Sequence, residues 1–537
     1  MDDDLPLTLA VVVNDGPLAR WVHRALAEVV AVRGVRLALI LSHPPRALAD
    51  EAARSLLGRL YAAVDQWWFP PPHDLRGPMN PGREIPGATG VAAATWDSSS
   101  HARLLRQHQV EAVLDLSDQA VTGDVTPPLG TWRLAHAGTS ADTAALSCLL
   151  SGATSVRSVL HSTADPAQVL AESISKADHA SMSRTHSALL WKSVALVRRG
   201  VRRLQRDRSP ATWAALPVLD WPTPSGVSAR DLRRRLPTLV TRLVRHRRER
   251  RRYDTRWTLL TGRRQGADII DIERVTPPDG HFWADPMVVA DGADRYVFYE
   301  DYRNDRARGH IAVAPIDRAG RLGAAQMALE RPYHLSYPWV FAHGGQWYMV
   351  PETQANRTIE VYRCLAFPSR WQFSHVLMAD VRAVDATFLQ HEGRWWMFAN
   401  VAEFEGSATS DELCAFWADD PLSTHWQPHP HNPVVSDVGR ARPAGPFVRR
   451  DGRLFRPSQD CASEYGGAVC VNEVLALTET AYEERCVGRL EATWDPHVVA
   501  MHTVSEHDGQ VVLDGKLRSR RGQPAPVATH KGRCPLR

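Results

Sequence analysis

The stretch His281-Phe-Trp-Ala-Asp-Pro-Met-Val-Val-Ala-Asp-Gly-Ala-Asp-Arg-Tyr-Val-Phe-Tyr-Glu-Asp-Tyr302 decides how the C-terminal half of this chain is read. Apolar and aromatic residues alternate at period two on both sides of Asp291-Gly292, which is the signature of a β-hairpin with a tight turn. A carboxylate, Asp285, stands early in the first strand, and Glu300 and Asp301 end the second. Four weaker copies follow. Gly344-Gly345 precedes Trp347-Tyr-Met-Val350, Glu392-Gly393 precedes Trp395-Trp-Met-Phe398, Asp451-Gly452 precedes Leu454-Phe455, and Asp508-Gly509 precedes Val511-Val-Leu513. The turn glycines Gly292, Gly345, Gly393, Gly452 and Gly509 stand 48 to 59 residues apart, about the length of a four-stranded sheet with its connections. Small sheets of this kind bury their faces only against their neighbours, so residues 256–520 are expected to form a five-bladed β-propeller.

In a propeller the first strand of each blade lines the central channel. Residues seven or eight positions before each turn glycine then face the axis: Asp285, Tyr337 or Pro338, Asp385, Ala444 or Gly445, and His502. The second strands end in Glu300-Asp301, Glu352, Asn400, Gln459-Asp460 and Asp514. One end of the channel is therefore expected to gather Asp285, Asp385 and Glu352 as catalytic carboxylates. Glu300, Arg442, Arg456, Gln459, Asp460 and His502 would bind substrate around them. Two carboxylates across a pocket are the minimum for chemistry at a glycosidic bond, one ionised and one with a raised pKa. Plainer roles compete with this. Aspartates before strands cap turns, His502 can be a satisfied structural histidine, and Arg442 and Arg456 can pair with carboxylates inside the fold. The pairs Trp347-Tyr348 and Trp395-Trp396 read better as inter-blade core than as sugar platforms.

This half resembles the five-bladed superfamily of arabinanases, invertases and levansucrases through Trp283-Ala-Asp-Pro286, which would give Asp285 the nucleophile or base role. The blade-two acid of that superfamily has no match in Ser336-Tyr-Pro-Trp339, and Val384-Asp-Ala-Thr387 offers Asp385 where a glutamate is usual. The resemblance also allows His502 to ligate a central ion or water. A closer similarity is to the N-terminal region of plant glucosamine inositolphosphorylceramide transferases and to bacterial proteins that carry it behind a formyltransferase-like domain. It rests on Ala284-Asp-Pro286, His334-Leu-Ser-Tyr-Pro338, Pro351-Glu-Thr353, Val384-Asp-Ala-Thr387, Ala441-Arg-Pro-Ala-Gly445, Arg456-Pro-Ser-Gln-Asp460, Tyr465-Gly466, His502-Thr503 and Asp514-Gly515. It implies a carbohydrate-active protein that processes a glycan or glycolipid by glycosyl transfer or hydrolysis. The missing blade-two acid leans toward transfer.

The first 183 residues read differently. Leu7–Val13, a helical pattern from Leu18 to Val30, and Val35–Leu41 make the strand–helix–strand rhythm of a parallel sheet buried on both faces. No Gly-x-Gly-x-x-Gly follows the first strand, so a dinucleotide site has no support. Strand Val110–Ser117, then Thr126-Pro-Pro-Leu-Gly-Thr-Trp-Arg-Leu-Ala-His-Ala-Gly138 and Leu150 to Asp165, resemble the core of the Rossmann-like formyltransferase fold. That resemblance implies a 10-formyltetrahydrofolate site with His136 and Asp165 in the family's Asn-x-His and Asp positions. The asparagine position is Leu134, which has no polar group. N-formylation of an amino sugar is thus one alternative function, and a non-catalytic glycan-binding scaffold is another.

Residues 184–255 form an arginine-rich connector with two amphipathic helical patterns. Pro237 predicts a kink or late start in the second. The basic face either is simply solvated or makes peripheral contact with an anionic membrane or phosphorylated lipid. Nucleic acid is not expected, because no aromatic residues interleave the arginines. The net charge of +4 adds nothing to that argument. Seven dispersed cysteines without a Cys-x-x-Cys pair suit a reducing compartment and give no metal motif. The acidic start and the lack of any apolar run near ~18 residues lead us to expect a cytoplasmic protein, at most membrane-associated. Residues 521–537 read as a flexible tail.

Overall fold

A computed structural model describes residues 6–44, 56–78, 92–95, 101–118, 126–164, 167–208, 229–523 and 532–537. They divide into two units, Met1–Leu243 with Phe404–Ser407, and Val244–Glu403 with Ala408–Arg537.

The first unit is an α/β sheet of seven strands in the order β3-β2-β1-β4-β5-β6-β7. Strands β1 (Leu7–Asn14), β2 (Val35–His43), β3 (Ala92–Thr95), β4 (Ala112–Asp115) and β5 (Thr131–His136) run parallel, and β6 (Ser155–Ser162) and β7 (Val169–Lys176) complete it antiparallel. Strand β1 is buried from Leu7 to Val13 and apolar there except at Thr8, because helices cover both its faces. The helices are α1 (Arg20–Val30), α2 (Leu56–Trp68), α3 (His101–Gln107), α4 (Ala141–Ser151), α5 (Met182–Asp207) and α6 (Ala229–Arg252).

Two expectations change here. Helix α5, read as part of the connector, belongs to the α/β core: Val194, Val197, Val201 and Leu204 pack with Leu7, Leu9, Val11 and Leu26. Its apolar stripe was legible in the sequence, but which core it served was not. Helix α6 runs without interruption through Pro237.

The second unit is the expected five-bladed propeller. Blade one runs from β10 (His281–Asp291) to β13 (Gln326–Leu329), and blade two from β14 (Ser336–His343) to β17 (Arg370–Ala379). Blade three runs from β18 (Ala383–His391) to β22 (Val435–Ser436), and blade four from β23 (Val448–Arg450) to β26 (Tyr482–Leu490). Blade five joins the two ends of the propeller segment. Strand β29 (Gln510–Arg520) pairs with β8 (Tyr253–Gln265) from Gln510↔Arg263 to Arg520↔Tyr253, and β9 (Asp268–Val275) lies beside β8. All the turn glycines named above have positive φ.

Each blade interface has its own apolar cluster, and together these close the ring. Phe298 and Ile311 meet Met349 and Tyr362 between blades one and two, and Val361 meets Phe388 and Met397 between two and three. Trp396 and Phe398 meet Leu454 and Leu477 between three and four, Val469 meets Leu260 and Val511 between four and five, and Leu259 and Val512 meet Val288 and Tyr299 between five and one. Trp347, Tyr348, Trp395 and Trp396 all take part in these interfaces.

The C-terminal tail is corrected in part. Strand β30 (Gly532–Cys534) pairs with β9, Cys534 is buried, and Arg537 exchanges backbone hydrogen bonds with Arg489.

Candidate functional site

The inner strands share one local irregularity. Register breaks fall between Ala284 and Met287 in β10, between Ser336 and Trp339 in β14, and between Val384 and Thr387 in β18. At each break one residue has left-handed backbone: Asp285 (φ 53°), Tyr337 (φ 41°) and Asp385 (φ 55°). The blade-four counterpart is Gly445 (φ 121°), where a Cβ would sit 2.0 Å from the Val504 carbonyl oxygen, so only glycine fits. A bulge re-aims its side chain out of the strand's alternation, and left-handed non-glycine residues cost about 1–3 kcal/mol that the surroundings must offset. The bulge here turns both carboxylates into one cluster.

Asp285 accepts from the Thr503 hydroxyl (2.9 Å) and the Tyr337 N–H (3.3 Å). Its own N–H donates to Asp514 Oδ2 (2.9 Å). His502 Nδ1 lies 2.6 Å from Asp514 Oδ2, and Nε2 lies 3.7 Å from Asp285 Oδ1. The His502 ring stacks on Trp257, centroids 3.9 Å apart and planes 10° apart. Burial raises Asp285 to about 6, with His502 opposing and Asp385 and Asp514 reinforcing. His502 loses basicity to burial but gains more from Asp514 and Asp285, and stands above its ordinary value.

Asp385 is held by Arg442, whose Nε donates to Oδ2 (2.6 Å) and Nη2 to Oδ1 (3.3 Å), and by Gln459 Nε2 (3.2 Å). Arg442 Nη2 also lies 3.8 Å from Glu352 Oε2. The Tyr337 hydroxyl accepts from the Gly445 N–H (2.9 Å) and meets Thr387 Oγ1 (2.8 Å), linking three blades. Glu300 and Glu352 are both driven well above the usual carboxyl range, first by burial and then by neighbouring acids, with Arg442 opposing at Glu352. Glu300 Oε1 and Glu352 Oε2 are buried without a hydrogen-bond partner. Tyr465, 40% exposed, stacks on Arg442 and meets His502 edge-on, so it marks where the cluster reaches solvent.

The structure thus brings together Asp285, Asp385, Glu352, Glu300, Arg442, Gln459 and His502. It separates two others. Arg456 is 1% exposed and spends its donors on Glu484 and the Arg440 and Ala441 carbonyls, so it braces blade four. Asp460 pairs with Arg489 (2.7 Å) and caps the Ala462 N–H, away from the cluster. Sequence reasoning gave no role to Asp514, Thr503, Trp257 or Tyr465. Asp514 was visible as a strand-end acid after the fifth turn. Donor atoms of Asp285, His502 and Asp514 lie within 4.8 Å of one another, a grouping that could hold a cation where the sequence resemblance allowed His502 to ligate an ion or water.

The α/β unit has a separate cavity of about 740 Å³ beside the C-terminal ends of β4 and β5, lined by His136, His186, Asp115, Asp142, Arg133 and Leu134 among others. His136 is buried with both nitrogens engaged, Nδ1 by Ser158 (2.7 Å) and Nε2 by Ser193 (3.1 Å). Ser193 gives its hydrogen to the Leu189 carbonyl (2.9 Å), so His136 Nε2 donates and Nδ1 accepts, the neutral form. Burial depresses His136 to about 4. Asp165 lies outside the described residues.

Residues 271–495 match the family described as glucosamine inositolphosphorylceramide transferase 1, N-terminal. The chain is 33% identical over 216 residues to glucosamine inositolphosphorylceramide transferase 1 of Oryza sativa subsp. japonica, covering 39% of this chain and 29% of the relative. With its namesake in Arabidopsis thaliana it is 32% identical over 208 residues, 38% and 27% of the two chains. It therefore spans less than a third of the length of these curated relatives. Among solved structures it is similar to the catalytic domain of a GH62 α-L-arabinofuranosidase from Coprinopsis cinerea (11% identity, TM-score 0.36, 52% of this chain and 96% of that one). A family 117 glycoside hydrolase of Zobellia galactanivorans is another (11%, 0.34, 49% and 90%).

Proposed function

We propose that the propeller is the working part of a carbohydrate-active protein that transfers or hydrolyses a glycosyl group of a glycan or glycolipid at the Asp285–Asp385 end of its channel. The observation that carries this reading is a pair of buried oxygens that accept no hydrogen bond, Glu300 Oε1 with His334 Nε2 3.5 Å away and Glu352 Oε2 with Arg442 Nη2 at 3.8 Å. They belong to a cluster of five acids (Asp285, Glu300, Glu352, Asp385, Asp514) with two bases (Arg442, His502). Buried carboxyls that keep their protons and lack a hydrogen-bond partner call for a ligand that both donates and accepts, as sugar hydroxyls do. Asp285, near 6, is tuned to exchange a proton around neutral pH. Asp385, held in its ion pair, presents charge to a developing oxocarbenium centre. The half-exposed Tyr465 ring suits the apolar face of a sugar. The relatives' name favours a phosphoinositol-lipid acceptor, and Tyr337 in the blade-two position leans toward transfer.

The test is incubation with nucleotide-activated sugars and inositolphosphoryl glycolipids or their water-soluble headgroups, with product read by mass spectrometry. Product is expected from the parent and none from Asp285→Asn or Asp385→Asn. Undiminished product in both variants would overturn the proposal, and saturable glycan binding without product from any donor would favour the scaffold reading.

The residues of the α/β cavity do not fit a formyl donor. Leu134 offers no hydrogen bond, and both nitrogens of His136 are already taken by serines. We therefore place the chemistry in the propeller.

A further inference from the structure

Helix α2 carries its apolar face outward. Its inner face holds a carboxylate: Asp65 is buried, and its Oδ2 accepts from the Ser183 N–H (2.7 Å) and the Ser181 hydroxyl (3.2 Å) at the N-terminus of α5. Negative charge at that end of a helix is favourable. Tyr61, on the same face, joins the cluster of Leu146, Leu149 and Leu150 from α4 with Leu239 from α6. These contacts fix the rotation of the helix. On the other side Leu60 is 61% exposed, Val64 43% and Trp67 78%, with Trp68 at 40%. Leu60, Val64 and Trp67, spaced by four and three residues, make one stripe, and Trp68 stands at its edge, two turns on from Tyr61. Such a stripe ordinarily faces a core. Here Asp65 and Tyr61 occupy the side that could reach one.

The occupant of this face follows from the charge beside it. Helix α6, which shares the Leu239 cluster with Tyr61, exposes Arg233, Arg234 and Arg235, and Arg235 also donates to the Leu150 carbonyl (2.7 Å). A protruding apolar stripe that carries a tryptophan, on a unit whose adjoining helix α6 exposes arginines, has the composition of an interfacial element that inserts side chains at the headgroup–acyl boundary and holds lipid phosphates with its cations. A protein partner would call for a flatter, charge-depleted centre. We propose that α2 docks the protein on an anionic lipid surface, with Leu60, Val64 and Trp67 entering the interface and Arg233 and Arg234 of α6 facing the headgroups. The inference stands on the α/β unit alone and does not depend on the chemistry assigned to the propeller.

The experiment is co-sedimentation of the full chain with vesicles of phosphatidylcholine, alone or mixed with phosphatidylserine, at low and high salt. Binding to the anionic vesicles that weakens with salt is expected, and Val64→Ser with Trp67→Ser should reduce it at least about tenfold. Arg233→Glu with Arg234→Glu should flatten the salt dependence. The substituted side chains are exposed, so thermal unfolding should match the parent and show that the loss is not misfolding. Absence of vesicle binding by the parent, or unchanged binding by the Val64→Ser/Trp67→Ser variant, would overturn the proposal. A parent dimer in light scattering that this variant dissociates would also overturn it and assign the face to a second copy of the chain.

Discussion

Arg442 grips Asp385 side-on, Nε to Oδ2 at 2.6 Å and Nη2 to Oδ1 at 3.3 Å, and the same guanidinium is 3.8 Å from Glu352. One buried cation therefore balances acids from blades two and three. Burial works against the charge on Arg442, yet Asp385 and Glu352 hold its pKa well above the usual value. Arg442→Met should cost about 3–5 kcal/mol, because it leaves buried carboxyls without a counter-charge. Adding Asp385→Asn to that variant should recover part of the loss. Urea denaturation of the two single variants and the double variant measures the coupling, and strictly additive effects would deny it.

Asp285 offers a pH test. Its folded-state value of about 6 lies above the ordinary 3.8, set by burial and by Asp385 and Asp514 against the pull of His502. An acid raised on folding holds its proton more tightly when folded. Its contribution is therefore fully present below about pH 4 and lost as pH rises through 6. Asp285→Asn should match the parent's stability near pH 4 and exceed it above pH 7, by up to about 3 kcal/mol at ~1.4 kcal/mol per unit. Melting curves from pH 4 to 8 would show a gap that widens with pH. A gap that narrows would contradict the assignment.

His136 runs in the opposite sense. Burial holds it at about 4, below the ordinary 6.5, so the unfolded chain takes up its proton first as pH falls. The stability that neutral His136 contributes is complete above about 6.5 and disappears as pH drops toward 4. Its ring resonances in an NMR titration should stay in the neutral position from pH 8 to 5. A midpoint near 6.5 would mean that the ring reaches solvent.

Cys486 is the exposed member of the seven cysteines, and the other six are buried. A hydrogen bond from Cys470 brings it down to about 6, burial opposes this, and the Gly488 backbone, Arg440 and Arg489 add to it. At neutral pH it should be alkylated by iodoacetamide at least about tenfold faster than any other cysteine, since the thiolate is the reactive form. Peptide mapping after brief labelling reads this directly, and uniform slow labelling would show that Cys486 is not a thiolate.

Much of the propeller was legible because its signals are local. Alternating strands, turn glycines and the offset from each turn back to the axis located Asp285 and Asp385, and narrowed the other bulges to Tyr337 or Pro338 and Ala444 or Gly445. The errors fell where a partner had to be chosen. Arg456 and Arg442 look alike in sequence, each near an acid-bearing strand, yet Glu484, two strands away in the same blade, takes the first and Asp385 of another blade takes the second. Helix α2 drew no reading at all, since an apolar helical stripe looks the same whether it faces a core or a solvent.

By itself, then, the sequence determined the repeat, the blade count and, to within a residue, the positions facing the axis, since these depend on residues a few places apart. Only the tertiary structure decided the cluster. Closing the ring through β8 and β29 sets Thr503 and Asp514 against Asp285, and a carboxyl's protonation depends on which charges and how little water surround it. The outward face of α2 was settled the same way, by Asp65 and Tyr61 finding their partners on α5 and in the α4–α6 cluster.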